Sequence, residues 1–136
     1  MSVQDAPNPI PCDGDAMAFI KAHVEAGILH VDPDGLVWRH AASVRGEWKS
    51  VEPRRAESPG NKGYLRIKVW VPQLQRIVSV AAHRLAYEVL VGPIPDGLEL
   101  DHLDGNVTNN HPSNLEPVTG LVNMRRSWAN EERTRP

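Results

Sequence analysis

The stretch Leu98-Glu99-Leu100-Asp101-His102-Leu103-Asp104-Gly105-Asn106-Val107-Thr108-Asn109-Asn110-His111-Pro112-Ser113-Asn114-Leu115-Glu116-Pro117-Val118-Thr119 decides how this chain is built. Leu98 to Leu100 alternates apolar and polar residues, and Leu115 to Val118 forms a second short strand-like run; alternation of this kind reads as a half-buried strand. The polar residues from Asp101 to Ser113 between them read as a loop, in which Asp104-Gly105-Asn106 is a turn. There glycine supplies the positive φ and the flanking side chains bond backbone. Thr119 is placed to cap a short helix near Leu121 to Trp128, as a threonine hydroxyl does for an open helix end. The order is strand, long loop, strand, helix.

Working upstream, Ala82, Leu85, Ala86 and Val89 follow i, i+3, i+4, i+7 and predict a core helix over about 80–90, ended before Gly92-Pro93. Tyr64 to Val71 alternates Arg66 and Lys68 with apolar residues, the period of a strand with one face buried and one basic face outward. Glu52 to Lys62, with two prolines, a glycine and Arg54-Arg55, reads as an exposed loop. Ile28 to Val31, Pro33-Asp34-Gly35 and Leu36 to Trp38 read as a β-hairpin around a turn. Before it, Ala18, Phe19, Ala22 and Ala26 predict a helix over about 16–27, capped by Asp15 and stopped by Gly27. The first dozen residues, with three prolines, read as a loose arm. The expected fold class is α+β, a single small domain with an N-terminal helix plus β-hairpins and the strand-loop-strand-helix unit at its C-terminal end.

A chain of 136 residues with 40% hydrophobic side chains suffices for one modest core. No apolar run is long enough to span a bilayer, and the opening residues lack the basic start and apolar centre of a signal peptide. The expectation is a soluble cytoplasmic protein with no membrane partner. Cys12 is the only cysteine, which excludes an intrachain disulfide and a thiolate zinc site, so any metal is held by oxygen or imidazole. The net charge of -2 argues mildly against a nucleic-acid partner. That average hides an asymmetry. Residues 1–37 hold six acids (Asp5, Asp13, Asp15, Glu25, Asp32, Asp34) and one base (Lys21), leaving fourteen bases against eleven acids over 38–136.

Phosphodiester hydrolysis needs a base for water, a cation on the phosphate and leaving oxygen, and positive groups to hold the strand. Adjacent Asp101 and His102 at a strand end point in opposite directions, so one can enter a metal shell while the other approaches the water. A carboxylate with an amide oxygen suits a hard ion such as Mg²⁺. An EF-hand calcium loop fails, because with Gly105 at its sixth place the first and twelfth ligands would be Leu100 and His111.

The pattern Asp101-His102-Leu103-Asp104-Gly105-Asn106, Asn109-Asn110, Asn114-Leu115, Val118-Thr119 and Asn123 resembles the HNH (ββα-metal) endonucleases of the small phage and intron-encoded type, closely over some 30 residues. Gly63-Tyr64, His83-Arg84-Leu85-Ala86 and Gly92-Pro93 extend a weaker likeness to about residue 60. The resemblance implies a homing or phage endonuclease acting on DNA with Mg²⁺ or Mn²⁺ and leaving 5′-phosphate and 3′-hydroxyl ends. His102 would be the general base, Asp101 and Asn123 the metal ligands, and Asn114 the residue that pins the loop. Asn123 replaces the final histidine of the family name, a variation of this branch. Zinc-bearing relatives carry Cys and His in the long loop where this chain has Asp104 to Asn110, so no structural zinc is expected.

Arg126 and Ser127 share a helix face with Asn123, which makes Arg126 the first candidate for a phosphate clamp, with Arg125, Arg84, Arg66 and Lys68 behind it. Leu121, Met124 and Trp128 are expected to pack that helix onto the strands. His111, His83, His23, His30 and His40 read as ordinary surface or core histidines, His83 being the one that the family pattern brings near the site. The chain then divides into a flexible arm (1–14), a helix and hairpin region (15–60), the nuclease region (61–130) and a tail (131–136). Two other classes compete with the enzyme: a DNA-binding or phage packaging accessory protein that keeps the fold, and a protein-interaction domain in which the motif is a relic. A homodimer or a packaging partner is compatible with any of them.

Overall fold

Asp32 organises the first turn of the fold: its Oδ1 accepts hydrogen bonds from the backbone N–H groups of Asp34 (2.9 Å) and Leu36 (3.0 Å), and its Oδ2 one from Trp38 Nε1 (2.9 Å). Gly35 takes φ +85° and closes that turn, joining β1 (Leu29–Val31) to β2 (Val37–Val44). The computed structural model describes residues 13–72 and 74–134, so the remainder of the predicted N-terminal arm, residues 1–12, lies outside the described residues. Among the described residues no helix is long and apolar enough to cross a membrane.

The first helix, α1 (Asp13–Glu25), starts before the expected boundary and takes in Asp15 instead of being capped by it. Its buried face also differs from the expected alanine stripe. Ala16, Met17 and Ile20 are buried, with Phe19 and Val24 packed beside them, while Ala18, Ala22 and Ala26 are exposed. Methionine and isoleucine remove far more apolar area from water than alanine, so they decide which face turns inward. Gly27 does stop the helix, at φ +80°, with Ile28 N–H returning to His23 O at 3.0 Å.

The expected loop over 52–62 is largely strand. β3 (Glu47–Arg55) pairs antiparallel with β2, and β4 (Ser58–Pro59) pairs with β5 (Leu65–Val71). Pro53 misled the sequence reading, yet it breaks nothing. The register jumps from Arg39↔Arg54 to Ala41↔Ser50, so Pro53 falls in the unpaired stretch where no ladder bond needs its missing N–H. β5 pairs with β6 (Arg76–Ala81), the partner that had not been located, and shows the predicted two faces: Ile67, Val69 and Val71 are buried, Lys68 and Trp70 exposed.

α2 (Ala82–Leu90) buries Ala82, Leu85 and Ala86, although Val89 is exposed where the periodicity expected burial. Ile20, Leu29, Val37, Ile67, Val71 and Leu85 form the centre of one core shared by α1, β1, β2, β5, β6 and α2. Each such side chain contributes about 1.5–3 kcal/mol by leaving water. β7 (Glu99–His102) and β8 (Leu115–Val118) then form a separate two-stranded ladder, with Asp101 opposite Glu116 and His102 opposite Leu115.

α3 (Gly120–Thr134) is capped as expected, Thr119 Oγ1 accepting from Val122 N–H at 3.2 Å, but it runs past Trp128. Leu121, Met124 and Trp128 do not pack onto the strands. They are exposed. The face of β7 under the helix is acidic, so α3 docks through Asn123 and Arg126, whose helical positions lie opposite the apolar stripe.

The turn at Gly35 reaches the long loop. A Cβ there would stand 2.0 Å from the carbonyl oxygen of Asn110, at a φ that L-residues avoid. Gly35→Ala is therefore expected to cost about 2–4 kcal/mol from left-handed strain and overpacking together. Urea unfolding reads this directly; an unshifted midpoint would show that the turn and loop are not in contact.

Candidate active site

Strand geometry sends neighbouring side chains to opposite faces, and β7 places Asp101 and His102 accordingly. Asp101 meets Arg126 of α3, with Nη1 2.9 Å from Oδ2. His102 turns the other way, into a group of rings with His83 of α2 and Tyr64, at centroid distances of 5.0 Å and 5.8 Å. Both side chains are buried.

His102 Nε2 lies 2.9 Å from Asn110 Oδ1. With Asn110 Oδ1 as the acceptor, the pairing calls for the ring proton on Nε2 and the lone pair on Nδ1; Asn110 Nδ2 is then buried without a hydrogen bond among the described residues. Asn110 comes from the loop and was not singled out in the sequence; the paired asparagines Asn109-Asn110 were the only signal.

The loop itself is closed by short polar side chains. Asn114 Nδ2 donates to Asp104 Oδ1 and to Asn109 O, both at 2.9 Å, while its Oδ1 accepts from Asp104 N–H at 3.0 Å. Asp104 also takes Asn109 Nδ2 at 2.8 Å and Asn106 N–H at 2.8 Å. These donors favour the ionised carboxylate and hold Asp104 below its ordinary value, Asn109 contributing most.

Asn123 makes no hydrogen bond to Asp101 among the described residues. Its Nδ2 donates to Glu99 Oε1 at 2.7 Å, one alternation further back on the same face of β7. That leaves its carbonyl oxygen without a hydrogen bond among the described residues, as a metal ligand requires. Arg126 reaches Glu116 as well, at 3.3 Å and 3.4 Å, and the two carboxylates, Asp101 first, raise its proton affinity. Glu116 was missed because only the strand register puts it beside Asp101, and Glu99 because its part depends on where α3 crosses β7. The described residues contain no cluster of three His, Cys, Asp or Glu side chains around one point. One carboxylate and one amide oxygen still fit Mg²⁺, which keeps waters and phosphate oxygens for its other positions.

Of the remaining basic candidates, Arg66 and Arg84 line one cleft of about 730 Å³ with Lys21, Ser79, Glu88 and Asp96. Arg66 donates to Ser79 Oγ and Lys21 pairs with Glu88, whereas Arg84 has no ion pair among the described residues. Lys68 and Arg125 are exposed.

Across residues 38–55 five bases (Arg39, Arg45, Lys49, Arg54, Arg55) face two acids (Glu47, Glu52). Of the fourteen bases and eleven acids over 38–136, nine of each then remain for 56–136. The positive excess therefore sits in the β2–β3 ribbon, where Arg39 and Arg54 stand directly opposite each other.

A family model described as HNH endonuclease matches residues 80–125, from the end of β6 into α3. That match spans about a third of the chain and likens this segment to the HNH endonucleases. The chain is 49% identical over 41 residues to the Bacillus subtilis (strain 168) protein YosQ, named as an SPbeta prophage-derived HNH homing endonuclease. That alignment covers 30% of this chain and 24% of YosQ, so the chain spans about a quarter of its relative. Among solved structures, the HNH homing endonuclease I-HmuI, described in its DNA binding and cleavage, matches with a TM-score of 0.54 at 25% identity. The match covers 77% of this chain and 54% of I-HmuI, so the likeness in fold extends beyond the HNH segment.

His83 is the histidine of the HNH segment that the structure moves furthest from ordinary behaviour. Burial first, then His102, Arg84 and Arg66, push it from 6.5 down to about 4. A histidine depressed on folding favours the unfolded chain once protons bind, so its contribution is intact above pH 6.5 and is lost as pH falls from there towards 4. The drop in urea midpoint between pH 7 and pH 4.5 should be larger for the parent than for His83→Phe. Equal drops would place the acid sensitivity elsewhere.

Proposed function

We propose that this protein is a divalent-metal-dependent DNA endonuclease that hydrolyses phosphodiester bonds with His102 as general base. The observation that supports the reading is the His102–Asn110 hydrogen bond inside the HNH segment, which with Asn110 Oδ1 accepting favours a proton on Nε2 and an acceptor at Nδ1. His102 Nδ1 takes a proton from water as its oxygen bonds to phosphorus; the P–O3′ bond breaks, the departing O3′ takes a proton from solvent water, and 5′-phosphate and 3′-hydroxyl ends result. Asn114 holds the loop that carries Asn110, and through it the ring. Asp101 and the free carbonyl oxygen of Asn123 would hold Mg²⁺ or Mn²⁺, which supplies positive charge at the phosphate and the departing oxygen. Arg126 is the nearest cation to that point, while Arg66, Arg84, Lys68, Arg125 and the β2–β3 ribbon supply phosphate contacts along the strand. A polyanion is the partner that favours keeping Arg39 opposite Arg54, a like-charge pair that weakens a sheet by itself.

Plasmid incubated with the protein and Mg²⁺ or Mn²⁺ should be nicked or linearised, and excess EDTA should stop the reaction. His102→Ala should bind DNA as the parent does and cut about 10²–10⁴-fold more slowly. Near-parental cutting by that variant removes His102 as the base. A mobility shift with no cutting by the parent itself would instead support the DNA-binding accessory reading.

A further inference from the structure

Asp101 and Glu116 are direct cross-strand partners, and two carboxylates so placed repel each other unless a cation stands between them. Arg126 is that cation. Its Nη1 lies 2.9 Å from Asp101 Oδ2 and 3.3 Å from Glu116 Oε2, and its Nη2 lies 3.4 Å from Glu116 Oε1. The contacts are unequal in setting as well as length: the Asp101 side chain is 11% exposed, whereas that of Glu116 is 44% exposed.

The guanidinium therefore takes up an oxygen of the carboxylate assigned above to a divalent ion. A Mg²⁺ or Mn²⁺ ion approaches a carboxylate oxygen to about 2.1 Å, and a second cation held on that carboxylate would repel it. Glu116 offers the displaced guanidinium a nearby resting place.

We infer that Arg126 is an internal counter-ion that a divalent cation displaces from Asp101, and that Glu116 is a positioning residue which retains Arg126 beside the site, free to take a phosphate. This rests on the metal role proposed above for Asp101. Phosphate clamping would then become available only when the metal is in place, because without it the guanidinium is engaged with Asp101.

Mn²⁺ binding to the full chain without DNA, followed by electron paramagnetic resonance, tests the exchange apart from cleavage. Arg126→Gln should bind Mn²⁺ about tenfold more tightly than the parent, since the competing charge is gone, while Arg126→Lys should stay near the parent. Glu116→Gln should weaken binding in the parent background but change it little in Arg126→Gln, as required of a residue acting through Arg126. In the unmodified protein, Mg²⁺ should shift the ¹⁵N resonances of the Arg126 guanidinium, a readout that does not depend on any variant folding. If Arg126→Gln binds no more tightly and Mg²⁺ leaves those resonances unmoved, while Asp101→Asn abolishes binding, the exchange is wrong and the metal site stands. If no Mn²⁺ binds to the parent or to Arg126→Gln, the metal reading itself falls.

Discussion

Adjacent residues on a strand cannot face the same way, and the rest of this site is arranged around that constraint. Asp101 and His102 must each be served by a different neighbour. α3 meets the Asp101 side with Arg126, while α2 and Tyr64 meet the His102 side with rings. Two helices that do not share the core equally are thus recruited to one strand pair. The division also separates the chemistry: charge is handled on one face, and proton position on the other, where burial and an amide partner govern the ring.

The C-terminal unit was legible because its signals are local. Thr119 capping α3, the Asp104-Gly105-Asn106 turn and the strand-like run of Leu115 to Val118 depend on residues within a few positions of one another. What escaped depended on register or on competition between faces. Glu116 matters only because the ladder sets it opposite Asp101, and Glu99 only because α3 crosses where it does. On α1 the spacing of Ala18, Phe19, Ala22 and Ala26 names only Phe19 among the packed residues, because Met17 and Ile20, with more apolar area than alanine, set the inward face. The apolar residues of α3 were assigned to packing on the general preference for burial, which lost to two acids on the facing strand. Pro53 was read as a loop marker when it sits in the irregular part of a strand pair.

Charge is distributed with a similar division of labour. Residues 56–136 balance their own acids and bases, and Arg126 is paired there with Asp101 and Glu116. The ribbon of β2 and β3 does not balance, and most of its surface is open to solvent. Long-range attraction for a polyanion would then be strongest some way from the bond to be cut, and salt would act mainly on the ribbon, where exposed charges are screened within a Debye length of about 8–10 Å.

The contact between Gly35 and the Asn110 carbonyl has a bearing on modularity. Asn110 is the residue that orients His102, so the backbone that sets the proton on the imidazole leans against a hairpin some seventy-five positions earlier in the chain. An HNH unit cut out at the boundaries of its sequence match would lack that abutment. Transplanting the motif between proteins therefore carries a hidden requirement for a glycine on a foreign turn, and shuffling of such cassettes would succeed chiefly where the recipient already presents a flat, side-chain-free surface at that spot.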